Sequence, residues 1–271
     1  MPDEVEDSRP HRRRKSEARV GVLDLARAGE ALHQPEDCRA HRGSDSEHVP
    51  ASVTSKKNIF RRRDHWPIDR FSEIVRSWDG ATVVCIAGGP SLTREQAERA
   101  QASCPVIVAN DAYLLAPKAQ ALYFADSKWW KWHKDRDEFK SFAGEKCTIE
   151  NTGRTVEDPE VHIIRNLGRE GLSSDPTGVM TGYGSGYMAI NIAVLAGAKR
   201  ILLLGFDNKP MNGKNHFFGE HPDKSRQPFV LWNKAYRSLI TPLKELGVEV
   251  INCSPGTAIE AFPKMSLEAA L

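Results

Sequence analysis

From about residue 58 onward, apolar and polar positions follow two alternating patterns. Short apolar runs rich in β-branched residues recur at Thr82-Val83-Val84-Cys85-Ile86-Ala87, Val106–Ala109, Ala121–Ala125, Val161–Ile164, Arg200–Leu204 and Val248–Ile251. Their shortness and their lack of polar alternation predict strands buried on both faces of a parallel sheet. Between several of them lie stretches with helical spacing: Thr93–Gln101, Gly186–Ala196 and Phe229–Leu246. Strands alternating with helices predict right-handed βαβ units, hence an α/β protein with a Rossmann-like, mainly parallel sheet and helices on both faces. No internal repeat interrupts this order.

Before residue 58 the pattern vanishes. Met1 to Lys57 is rich in Arg, Glu, Asp, Ser and His, and only Val20–Leu32 is weakly helical. Residues 1–57 therefore read as a disordered N-terminal tail, or as the product of a start codon placed too far upstream, and residues 58–271 as a single Rossmann-like domain. The cluster Arg12-Arg13-Arg14-Lys15 is flanked by acids and lacks interleaved aromatics, which suits a solvated tail better than a nucleic-acid contact.

Composition narrows the picture without changing it. The chain has 271 residues, 40% of them hydrophobic, and a formal net charge of +2, so no overall field draws it to nucleic acid or an anionic membrane. No apolar run approaches the roughly 20 residues that span a bilayer, and the N-terminus lacks a signal-peptide core, so the expected location is the cytoplasm. The five cysteines are widely separated with no C-x-x-C spacing, so neither a disulfide framework nor a zinc site is expected.

Candidate chemistry gathers at predicted strand ends. Gly88-Gly89-Pro90-Ser91 joins a strand to a helix, and Thr93 with Gln96 has capping-box spacing. Glycines without Cβ atoms beside a helix N-terminus suit a phosphate, although a plain tight turn would look the same. The next strands end in Asn110-Asp111 and Asp126-Ser127, and in an open parallel sheet such ends share one edge. Thr181-Gly182-Tyr183-Gly184-Ser185-Gly186 opens a later helix and offers a second anion site, or merely close helix packing. Asp207 follows the strongest strand, and His216 and His221 lie in the loop beyond it. Histidine titrates near neutrality and suits a general base. The same residues are also a weaker metal set with Asp207. Trp129-Trp130-Lys131-Trp132 could stack on a base, or pack its rings into the core.

These blocks together carry a resemblance. Ile86-Ala87-Gly88-Gly89-Pro90-Ser91-Leu92, Asn110, Gly184-Ser185-Gly186-Tyr187 and Leu204-Gly205-Phe206-Asp207 resemble the MptE-like family, a Rossmann-type group. The block order is similar to that of bacterial sialyltransferases using a CMP-activated sugar. Uncharacterised phage and prophage members share His216-Phe217-Phe218-Gly219-Glu220-His221-Pro222 and the ending Asn252-Cys253-Ser254-Pro255-Gly256, and the likeness covers about Thr82 to Leu271. It implies that Gly88, Gly89, Pro90, Ser91 and Asn110 hold nucleotide phosphates, that Ser185 and Gly186 contact the nucleotide, and that His216 or His221 is the base. Asp126 stands where an asparagine is expected, and an acid there suits a Mg²⁺-nucleotide.

The function expected is a transferase moving a glycosyl or diphosphoryl group from a nucleotide donor, a CMP-sugar or an NTP, to an acceptor. Diphosphoryl transfer would use Mg²⁺ on Asp126 and Asp207. The alternative is a phage accessory protein that keeps the fold without turnover, acting in the host cytoplasm. A weaker third reading treats the tail and tryptophans as a nucleic-acid module. No membrane partner is expected, and the oligomeric state stays open.

Overall fold

The structure is a computed structural model and describes residues 58–64, 70–150, 156–219, 222 and 227–271. The tail expected over residues 1–57 lies outside them, as do Glu220 and His221.

Near the start of the described chain, β1 (Phe60–Arg62) and β2 (Ser72–Ile74) form an antiparallel pair. The main sheet follows, with elements in the order β3 (Thr82–Ile86), α1 (Arg94–Ser103), β4 (Val106–Ala109), a 3₁₀ turn (Asn110–Leu114), β5 (Ala121–Phe124), α2 (Ser127–His133), α3 (Asp137–Lys140), β6 (Glu145–Ile149), β7 (Val161–Gly168), β8 (Gly178–Met180), α4 (Ser185–Leu195) and β9 (Arg200–Leu204). It is completed by α5 (Phe229–Tyr236), a 3₁₀ turn (Arg237–Leu239), α6 (Ile240–Glu245), β10 (Glu249–Asn252) and α7 (Leu267–Ala270).

The strand order is β10-β9-β3-β4-β5-β6-β7-β8, and every adjacent pair is parallel. The mainly parallel expectation thus becomes a wholly parallel main sheet. The buried runs behave as predicted: along β3, Val83 and Cys85 join the core on one face, while Val84 and Ile86 join the core on the other. Helix α1 packs on the second face through Ala97 and Ala100.

Helix α4 does different work. Tyr187 to Val194 are all buried, and apart from Asn191 the buried face is apolar all round, as in a helix sealed inside the protein. It carries the chain from edge strand β8 back across the sheet, packing against β3, β4, β5 and β8 before β9 forms beside β3. Asn191 tethers it to the edge, its Oδ1 accepting from Ser173 N at 3.2 Å and Met180 N at 2.9 Å. Connections leave β3 in one direction and β9 in the other. The crevice at a parallel sheet's carboxyl edge opens at such a switch.

Three features departed from the sequence pattern. The single helix expected over Phe229–Leu246 is broken into α5, a 3₁₀ turn and α6, because Pro242 has no N–H to bond back to Ser238. Strand β6 starts with Glu145-Lys146, which no apolar pattern marks. Lys146 is buried but pairs with Glu160 at 3.2 Å and lies 5.4 Å from the centre of the Phe139 ring. Glu145 Oε2 accepts from Ile59 N and Phe60 N at 2.6 and 3.2 Å, which docks β1 onto the sheet. His162 of β7 stacks on Phe60 and meets Ser72 Oγ at 2.9 Å, and burial drives its pKa down to about 4. Short β8 also escaped the pattern, since three residues ending in Met180 carry too little periodicity.

Candidate functional site

A cavity of about 750 Å³ opens at the carboxyl edge of the sheet, within the size range of small-molecule sites. The loops after β3, β4, β5 and β9 and the start of α4 line it. It therefore sits at the switch between β3 and β9.

The glycine loop supplies one wall through Gly88, Gly89 and Pro90. Its amides are largely bonded within the protein. Ala87 N donates to Leu204 O at 2.8 Å, Gly89 N to Gly205 O at 2.9 Å, Ser91 N to Asp207 Oδ2 at 3.0 Å and Leu92 N to Gly89 O at 3.1 Å. Pro90 has no N–H, and Gly88 is the one loop amide without a described acceptor. The expected capping box is formed, with Thr93 Oγ1 accepting from Gln96 N and Gln96 Oε1 from Thr93 N, both at 3.1 Å. Gly89 is required for a steric reason: a Cβ there would collide with Asp207 Oδ2 and the Gly205 carbonyl. Phe217 N donates to Gly88 O at 2.9 Å, so the block around His216 folds onto the glycine loop.

Asp207, expected to act on substrate or metal, is 1% exposed and lies beneath this loop, outside the cavity lining. Desolvation raises its pKa, with hydrogen bonding from Ser91 opposing the shift. Ser91 too is absent from the lining. Asp126 does line the cavity, and its Oδ1 caps α2 by accepting from Lys128 N at 2.8 Å. Strands β5 and β9 lie three positions apart, so at about 4.8 Å per strand their ends are separated by about 14 Å. One metal ion bound jointly by Asp126 and Asp207 does not fit this spacing, and among the described residues no group of three or more His, Cys, Asp or Glu side chains is placed to hold a metal ion.

The opposite wall is the N-terminus of α4. Its N-cap, Gly184, has extended backbone and no side-chain cap, and the Ser185, Gly186 and Tyr187 amides have no protein acceptor among the described residues. Those open N–H groups and the helix dipole are the elements of an anion site. Asn110 reaches this end, with Ser185 Oγ 3.4 Å from Asn110 Oδ1, so the structure brings together two residues 75 positions apart. Tyr183, just before the N-cap, has φ 65°, a strained conformation for an aromatic residue. Asn110 and Asn208 share the left-handed region, so three of the four described non-glycine residues with positive φ line the cavity.

His216 lines the cavity from the loop after β9. Trp132 and Trp129 do so from α2, Trp129 while 2% exposed and packed in the core, so the two roles considered for the tryptophan group meet in Trp129. Sequence reasoning missed Phe229 and Trp232 of α5, Asn208, Asn215 and Gln227. The aromatic spacing of Phe229 and Trp232 was a usable signal, read only as helix periodicity. The lining carries Asp111 and Asp126 but, among the described residues, no Lys or Arg. An anion here depends on backbone amides and the helix dipole.

The fold and cavity define a parallel α/β protein with a ligand crevice at its switch point. No family model matches the chain, and no curated protein matches it. Among solved structures it is similar to the sialyltransferase CstII from Campylobacter jejuni, determined in complex with a substrate analogue and described with cytidine-5'-monophosphate, at 16% identity and a TM-score of 0.43, over 69% of this chain and 86% of that one. No helix among the described residues is long and apolar enough to cross a membrane.

Proposed function

We propose that this protein is a nucleotide-dependent transferase, with glycosyl transfer from a nucleotide-sugar as the reaction its cavity suits best. The observation that carries this reading is the open N-terminus of α4 facing an aromatic-walled cavity of nucleotide size. The donor's phosphate sits on the Ser185 and Gly186 amides, beside Asn110, and the glycine loop serves as a close backbone wall rather than the main phosphate cradle. Trp132, Phe229 and Trp232 offer ring faces to the base or sugar.

In this reading His216 accepts the proton of the acceptor hydroxyl as it attacks the anomeric carbon, and the α4 amides stabilise the leaving phosphate as its charge develops. Asp207 is a positioning residue that holds Ser91 and hence the loop. His221 keeps its candidacy as base from the resemblance alone. Diphosphoryl transfer is the weaker branch, because the carboxylates expected to share Mg²⁺ end strands three apart.

A thermal-shift panel of CMP, CTP, ATP, GTP, UDP-sugars and CMP-sialic acid, each with and without Mg²⁺, tests the proposal. A ligand at 100 times its Kd adds about 2.7 kcal/mol of stability, which such a scan detects. Stabilisation by one nucleotide-sugar without Mg²⁺ is the expected result, and a Mg²⁺ requirement would restore diphosphoryl transfer. No shift with any member would overturn the proposal in favour of an accessory role. With a donor in hand, His216→Ala should lower turnover about 10²–10⁴-fold while leaving donor affinity nearly unchanged.

A further inference from the structure

Asp111 was no more than a strand-end residue in the sequence, yet it lines the cavity and is the most elaborately supported carboxylate there. Two donors converge on its Oδ1: Trp129 Nε1 at 2.9 Å and His133 Nε2 at 2.9 Å. Behind His133, the Tyr113 hydroxyl lies 2.9 Å from Nδ1. Burial pushes the Tyr113 pKa up to about 12, so the phenol stays protonated. An ionised carboxylate only accepts, so His133 Nε2–H donates to Asp111, while Nδ1 pairs with the Tyr113 hydroxyl. Trp129 also stacks on the His133 ring, centroids 4.1 Å apart and planes 12° from parallel.

Trp129, His133 and Tyr113 are all buried, while the Asp111 side chain is 14% exposed. Three buried groups thus hold one carboxylate in a single position at the cavity wall. Such support behind a polar group is how a binding residue is kept in register. Its place is informative too. Asp111 lies in the 3₁₀ turn just after β4, the strand after the glycine loop and about twenty residues beyond it, where an acid in a nucleotide-binding parallel sheet meets ribose hydroxyls.

We infer that Asp111 is the ribose-reading residue, accepting a hydrogen bond from a sugar hydroxyl of the bound nucleotide, with His133, Trp129 and Tyr113 as its positioning residues. The inference rests on the proposed nucleotide site. An ionised carboxylate only accepts, so it favours a hydroxyl, disfavours a 2′-phosphate, and gains nothing from a deoxyribose.

The test is calorimetric titration of the intact protein with CMP, UMP, AMP and GMP and with their 2′-deoxy and 3′-deoxy forms. At least one ribonucleotide should bind about 10- to 100-fold tighter than one of its deoxy forms, the worth of one hydrogen bond to a charged group. Asp111→Asn should compress that ratio to within about threefold, and Tyr113→Phe and His133→Gln should compress it partly without changing affinity for the deoxy form. Equal affinity for ribo and both deoxy forms in the wild type would overturn the inference and leave the nucleotide site standing. Binding of none of the eight pairs would overturn both. Should Asp111→Asn fail to fold by circular dichroism, Tyr113→Phe decides alone, and an unchanged ratio there overturns the inference.

Discussion

Helices α1 and α4 both begin at the carboxyl edge of the sheet, each after a glycine-containing turn, yet their N-termini are finished in opposite ways. At α1 the Thr93–Gln96 capping box is closed, and the preceding loop amides are bonded to Leu204, Gly205 and Asp207. At α4 the cap is Gly184, and the first-turn amides face the cavity without a protein acceptor among the described residues. The more familiar motif, Gly88-Gly89-Pro90-Ser91, is therefore the more self-satisfied one. A glycine-rich strand-to-helix turn is capable of binding an anion only when its N–H groups are left over, and what leaves them over is the absence of a partner elsewhere in the chain.

The contrast can be broken by substitution. Gly89→Ala should have the largest effect, about 2–4 kcal/mol of lost stability, because its Cβ meets Asp207 Oδ2 and a backbone carbonyl that cannot swing away. Urea denaturation checks this, and a loss under 1 kcal/mol would mean the loop is not locked to β9. Gly184→Asp should separate stability from binding. The extended backbone accepts a side chain, and its Cβ would sit 3.7 Å from Trp232, an ordinary contact. Its carboxylate would cap α4, adding a few tenths of a kcal/mol to stability, while occupying the amides proposed for phosphate and weakening nucleotide binding about tenfold or more. A Tm and an affinity that move in the same direction would refute the anion assignment.

At α1 the same experiment should run in reverse. Thr93→Ala should cost about 1 kcal/mol of stability and leave nucleotide affinity unchanged. The smallest effect is expected at Asp207, whose pKa is raised by burial. A carboxyl that binds its proton more tightly in the folded state contributes stability at low pH that is lost as pH rises through its folded pKa, from about 3.8 upward. Asp207→Asn keeps an acceptor for Ser91 and should remove that slope, changing stability at pH 7 by less than about 1 kcal/mol. A steeper slope in the variant would show that the Asp207 carboxylate is stabilised rather than strained by its burial.

Much of this architecture was legible in local pattern. The apolar runs at β3, β4, β5, β7, β9 and β10 mark themselves because a strand buried on both faces has no use for polar residues. The Thr93 cap was readable because its partner is three residues away. Strand β6 was not, since Lys146 is made tolerable by Glu160 and Phe139, contacts that no local window contains. The candidate site followed the same division. That Asn110 and Ser185 contribute was visible as separate turn signals, and only the crossing of α4 over β3, β4 and β5 brings them together.

Local sequence is sufficient for whatever depends on neighbours within a few residues: the strand and helix periods, the α1 cap, the polar residues at strand ends. The order of strands, the closure of the glycine loop by Gly205 and Asp207, the open end of α4 and the support of Asp111 arise from partners 18 to more than 100 residues distant. Whether an amide is free for a ligand, or a tryptophan faces a cavity rather than the core, is a property of what packs against it, and that is decided when the chain closes on itself.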